Sequence, residues 1–200
     1  MQAAPIIEYK RATATNLSTS GTKIDAQAVI LPDKASVIVC NFAIHYFVQV
    51  LPEFMSMIRE LLAPGGVIII TAFNGSQVID ALTAGNVKFG EDWVLMENDN
   101  KKYIIRRKFK SDTLENSGQV IGVKLPFSGD KLYDEYLVNR TYLTSIVYKM
   151  KPKIGMLELG SFLDVPNKLG NRQYPSAYHQ LTDADKKWVG LYEYIVLMSV

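Results

Sequence analysis

Apolar residues in this chain first form a solid block and then recur with a helical period. Residues 36–40, SVIVC, are a short continuous β-branched run, the pattern of a strand covered on both faces by helices. The run breaks into Asn41-Phe42-Ala43-Ile44-His45-Tyr46. Polar and aromatic residues thus follow the carboxyl end of an expected parallel strand, where open α/β sheets hold their ligands. Over residues 52–62, Phe54, Met57, Ile58, Leu61 and Leu62 fall at spacings of three and four, which predicts a helix with one apolar face against the sheet. Pro64-Gly65-Gly66 stops it, and residues 67–70 are again solidly apolar. A right-handed crossover makes the two strands parallel neighbours or near neighbours, so residues 36–84 read as a βαβ unit with a following helix.

That following helix starts at Asn74, a capping residue with Gln77 three positions on, and buries Val78, Ile79 and Leu82. From 92 to 127 the period becomes that of short strands, at 93–95, 102–110 and 119–125, with a polar connection at 112–118. This predicts an inserted antiparallel hairpin. Its KKYIIRRKFK segment holds six basic residues in ten. Arg106, Arg107 and Lys108 are candidates for phosphate or RNA backbone, which needs point charges and not base readout; a solubilising outer face fits the same run equally well. Asn139 caps a helix over 140–150 with Leu143, Ile146, Val147 and Met150 inward. A strand over 153–165, an irregular stretch at 166–176, a short helix capped by Asp183 and containing Trp188, and a strand over 192–200 complete the chain.

Composition narrows the class. A chain of 200 residues that is 48% hydrophobic can bury a sizeable core, and a net charge of +2 permits RNA contact without arguing for it. The one cysteine, Cys40, lies in a predicted strand, so there is no disulfide framework and a reducing compartment fits. No apolar run reaches membrane-spanning length and no signal-peptide core is present, giving the expectation of a soluble intracellular protein. His45 and His179 are far apart in sequence and support no metal site.

CNFAIHYF followed by LLAPGGVIIITAFN closely resembles the centre of messenger RNA cap guanine-N7 methyltransferases. The Phe42, His45, Tyr46 cluster is the specific part; the Pro-Gly-Gly turn occurs widely among S-adenosylmethionine-dependent methyltransferases. The likeness extends through DEYLV at 134–138 and LTDADKKWVGLYEYIVLMSV at the end, covering about residues 38–200. It implies the second half of a class I methyltransferase, a Rossmann-like α/β fold with a mostly parallel sheet and an antiparallel last strand. The glycine-rich D/E-x-G-x-G cofactor motif that normally opens such a domain does not occur in these residues. On this reading 1–200 is one partial domain: a loop-rich lead-in at 1–35, the 36–84 unit, an insert with a cap-binding segment at 92–138, and a closing helix and two strands at 139–200. The truncated start resembles capping enzymes of large DNA viruses, and the resemblance implies a place in the nucleus, or in the cytoplasm or virion if viral.

The resemblance implies a site. Glu135 would hydrogen-bond the cap guanine, a sensible choice because a carboxylate accepts from N1–H and the N2 amino group together. Tyr194, Phe42, His45, Tyr46 and Phe73 would wall it, Phe73 standing where the family has proline. Asn41, in place of the usual glutamine, would face the S-adenosylmethionine cofactor with Phe42, Tyr46 and Asp25; a solvated loop aspartate fits Asp25 as well. The implied partners are the capped 5′ end of RNA and the rest of a capping enzyme or a stimulatory subunit, with no membrane. Two other classes fit the same residues: a non-catalytic methyltransferase-like subunit that binds or activates a partner, and half of a small-molecule methyltransferase.

Overall fold

A computed structural model of the chain describes residues 34–124, 129, 131–151, 153–165 and 180–200. The chain divides into two units, Met1–Asp33 and Lys34–Val200, and the described residues all belong to the second. The unit opens with strand β1 (Ala35–Asn41), a 3-10 helix (Ile44–Val50), helix α1 (Leu51–Leu61) and strand β2 (Leu62–Phe73). β1 and β2 pair in parallel, as the apolar blocks predict. The register jumps from Ala35 opposite Leu62 to Val37 opposite Val67, so the Pro64-Gly65-Gly66 turn is a bulge of β2, with Gly65 at φ 70° where a side chain would strain the backbone. Helix α2 (Gly75–Ala84) follows. Asn74 caps it by accepting from the amides of Ser76 and Gln77.

Strands β3 (Asp92–Glu97), β4 (Asn100–Arg107), β5 (Val120–Lys124) and β6 (Leu132–Tyr136) form a separate antiparallel sheet in sequence order. The insert is therefore four strands and not a hairpin, and the Asp134-Glu135-Tyr136 segment, expected as a lead-in to a helix, is its edge. Helix α3 (Arg140–Val147), strand β7 (Ile154–Ser161), a 3-10 turn (Phe162–Asp164), helix α4 (Asp183–Val189) and strand β8 (Tyr192–Ser199) complete the unit. Asn139 caps α3 as expected. The N-cap of α4 is Thr182 and not Asp183, because the Thr182 hydroxyl and the Asp185 carboxylate satisfy each other's amides in a capping box. The first sheet runs β1-β2-β8-β7. β8 is antiparallel to both of its neighbours, so β1, β2 and β7 point one way and β8 alone opposes them, the α/β arrangement expected.

Two cores hold these layers. The first lies on one face of the β1-β2-β8-β7 sheet, where Cys40, Ile68, Ile70, Ile195 and Leu197 meet Ile44 and Val48 of the 3-10 helix, α1 and α3. The α1 contact face is Leu51, Met55 and Ile58 with Leu62 beyond; Met57 and Leu61, expected inward, are exposed. The helical period was legible, but the 3-10 turn ahead of it sets the rotation with which the helix lands. β1 also departs from expectation. It is covered on one face only among the described residues, leaving Val37 and Val39 56% and 60% exposed. The second core joins α2, the β3–β6 sheet and α4 around Phe73, Ile105, Ile121 and Trp188.

Candidate functional site

At the carboxyl end of β1 the chain turns sharply. Phe42 sits at φ 48°, a left-handed conformation that costs a bulky residue roughly 1–3 kcal/mol and clusters at ligand sites. Its amide donates to both the carbonyl and the hydroxyl oxygen of Thr71, and the Thr71 hydroxyl donates in turn to Asn41 Oδ1. The turn is thereby fixed, Asn41 is exposed, and the Phe42 ring stands half-exposed. Phe42 stacks on Phe162 at 5.8 Å and meets the edge of Tyr192 at 5.3 Å.

β6 packs against the 3-10 helix that follows. Gln49 Nε2 donates to the Tyr136 hydroxyl at 2.7 Å, tying the two elements, and Glu135 comes to 3.6 Å from His45 Nδ1. That separation is too long for a hydrogen bond. The Glu135 side chain is only 13% exposed, yet no donor among the described residues reaches its carboxyl oxygens. Burial pushes its pKa up to about 7. Burial equally holds His45 down to about 4, so the imidazole is neutral at physiological pH, and its Nε2 has no partner among the described residues. The exposed Tyr46 ring lies 4.0 Å from that of His45. Tyr192 joins the cluster from β8: it is partly buried, and the nearby Glu135 charge adds to desolvation in raising its phenol pKa. An acceptor carboxyl and aromatic rings thus lie close together, a combination able to bind a planar ligand that offers paired N–H donors.

Glu135 thus meets His45, which carries Tyr46 against it, while Phe42 and the Glu135 charge both reach Tyr192, which the sequence reading did not single out. Its i, i+2 relation to Tyr194 on one strand face was the available signal. Tyr194 itself lies one step further along β8, opposite Thr71 and Gly160, and its hydroxyl donates to Glu158 at 2.8 Å. Phe73 is not a wall residue. It is buried in the second core, stacked on Tyr192 at 4.1 Å and edge-on to Trp188. Asp25 lies outside the described residues.

The basic strand also reads differently in three dimensions. Arg107 is buried and spends its guanidinium on the carbonyls of Val87, Phe109, Lys110 and Ser111 and on Asp112, so it is a structural residue and not a phosphate ligand. Arg106 makes a two-point pair with Asp92, and Lys108 meets Asp134 at 2.5 Å. Both are already matched by carboxylates. Among the described residues no group of three or more His, Cys, Asp or Glu could hold a metal ion, and no helix is long and apolar enough to cross a membrane.

No family model matches the chain. Curated relatives do: it is 37% identical over 166 residues to the mRNA-capping enzyme of African swine fever virus strain Badajoz 1971 Vero-adapted, a match spanning 82% of this chain and 19% of the viral protein. The mRNA-capping enzyme of the Pig/Kenya/KEN-50/1950 isolate matches at 37% over 167 residues. The chain therefore spans about a fifth of the length of these relatives. Among solved structures, the CcbJ methyltransferase from Streptomyces caelestis aligns with a TM-score of 0.45 at 13% identity, covering 86% of this chain and 64% of that one. A putative S-adenosylmethionine dependent methyltransferase from Listeria monocytogenes aligns with a TM-score of 0.44 at 14% identity, covering 87% and 65%.

Proposed function

We propose that this chain forms the cap-guanine side of an mRNA cap guanine-N7 methyltransferase that uses S-adenosylmethionine and acts on the capped 5′ end of RNA. The observation that carries this reading is Glu135: a mostly buried carboxyl with no hydrogen-bond donor among the described residues, 3.6 Å from neutral His45, which carries Tyr46 against it, and near enough to Tyr192 for its charge to be felt there. A largely desolvated acceptor without a donor is costly, and guanine N1–H with the N2 amino group would satisfy it. The 37% identity to viral mRNA-capping enzymes supports the same reading.

N7 of guanine carries a lone pair and no proton, so its methylation needs no general base. The work left to the protein is orientation, which alone can supply several kcal/mol. Glu135 anchors the Watson–Crick edge, leaving N7 on the opposite side of the ring. His45 stays uncharged beside Glu135. Asn41 offers its amide N–H groups, and Phe42 a strained, half-exposed ring, to the cofactor side; that much fits a cofactor pocket, while the glycine-rich motif that usually completes one is not among the 200 residues. Bound S-adenosylmethionine would supply the electrophilic methyl group. The second reading is a non-catalytic methyltransferase-like subunit that binds the cap for a partner. Calorimetric titration with S-adenosylhomocysteine and then GpppA, followed by a labelled-methyl transfer assay, tests both. Binding of both ligands and label on guanine N7 bears out the enzyme. Cap binding alone selects the subunit, and label on a ribose hydroxyl refutes the N7 assignment.

A further inference from the structure

β8 alternates strictly, and Glu193 falls on the inward face with Ile195 and Leu197. A carboxylate in an apolar register of an interior strand is expensive unless fully paired. Only one of its oxygens is paired: Oε2 receives the Asn74 amide at 2.9 Å and Arg140 Nη1 at 3.0 Å, whereas Oε1 is buried with no partner among the described residues. Glu193 lines a cleft of about 480 Å³ between the amino ends of α2 and α3 and the β7–β8 edge. Gly160, Ser161 and Gly190 line it together with Leu159 and Leu163. Tyr192 forms the wall, and Arg140 and the exposed Gln77 stand at the rim. Asp164 also lines it, with one oxygen occupied by the Ser161 amide.

Of the residues assigned to guanine, Tyr192 alone lines this cleft, and it links the two sites, since it also touches Phe42 and senses the Glu135 charge. The contents decide the ligand class. Two carboxylates against one guanidinium disfavour a bare polyphosphate and favour a group rich in hydroxyl or amine donors, while the half-exposed Arg140, which gives one N–H to Glu193, has further guanidinium N–H groups to offer a phosphate at the mouth. We propose that the Glu193–Arg140 cleft is a second nucleoside subsite, taking the ribose and base joined through the phosphates to the guanosine held at Glu135. This rests on the cap reading.

The test is calorimetry on the whole chain with GTP and with GpppA, which share the guanosine triphosphate and differ in the second nucleoside. GpppA is expected to bind about tenfold tighter than GTP, the worth of one or two well-made hydrogen bonds. Arg140→Ala and Glu193→Gln should bring the ratio to about one. Because Glu193→Gln perturbs a buried group and can fail to fold, Gln77→Trp supplies an independent plug from an exposed helix position and should abolish the ratio too. Equal binding of GTP and GpppA by the native chain, or an undiminished GpppA advantage in Gln77→Trp, overturns the subsite while leaving the guanine reading intact. Absence of binding by either nucleotide overturns both.

Discussion

Glu135→Gln offers the most direct view of the site because its effect on stability and its effect on binding have opposite signs. A carboxyl that titrates near 7 in place of 4.5 is carried charged in the folded chain at a cost of about 3 kcal/mol. The sign follows from the order of ionisation. Below pH 4.5 the group is protonated both folded and unfolded, and no penalty exists. As pH rises the unfolded chain ionises first, and the penalty is complete above pH 7. Glutamine keeps the shape and never ionises, so the variant should match the native chain at pH 4 and exceed it at pH 8 by up to about 3 kcal/mol, roughly 6–12 °C for a unit of this size. His45 acts in the other direction in both proteins: its depressed pKa removes stability as pH falls from 6.5 through about 4, and this limb should be common to both. Melting temperatures of the two chains from pH 4 to 9 read the difference. On the ligand side, guanine needs the ionised carboxylate, so native affinity for GpppA should fall about tenfold per pH unit below 7, while the variant binds weakly and without that slope. A stability difference that is flat from pH 5 to 8, or a variant less stable than the native chain at pH 8, refutes the idea that burial without a donor governs Glu135.

Two further substitutions probe neighbouring features. Arg107→Met removes a buried guanidinium that five acceptors surround, and should cost about 3–5 kcal/mol in urea denaturation; Arg106→Ala, at a solvent-facing pair, should cost less than about 1 kcal/mol. Phe42→Gly relieves a left-handed aromatic residue and removes a ring from the site, so the midpoint should hold or rise by about 1 kcal/mol while affinity for S-adenosylhomocysteine or GpppA falls; a loss of both would mean that the ring is core and not wall.

Much of this was legible in the sequence, for identifiable reasons. The β1–α1–β2 unit follows from two apolar blocks around a helical period, and the Asn74 and Asn139 caps from their side-chain chemistry. The meeting of His45 and Glu135, 90 positions apart in number, followed from a resemblance and not from any local pattern. Two buried charges were not legible from alternation. Arg107 shares strand parity with Ile105, but Arg106 shares it with the equally apolar Ile104. Glu193 shares parity with Ile195 and Leu197, while Tyr194, Val196 and Met198 make the other face of the strand just as apolar. What alternation cannot say is which side of a strand meets a second sheet, and this is why Phe73 belongs to a core shared with Trp188 when its sequence neighbours indicated a ligand wall.

The position of β8 between β2 and β7 has a consequence in time. Asn74, just past the end of β2, and its partner Glu193 on β8 are 119 residues apart, so at ordinary rates of synthesis β2 waits roughly 6–24 s for its second neighbour. The β3–β6 meander pairs only strands adjacent in sequence and can close during that interval, whereas the Ile68–Ile70 stretch of β2 stays open along one edge. The insert is thus complete before the sheet that carries it, and an elongation pause just ahead of β8 would prolong the period in which that edge can pair with another chain.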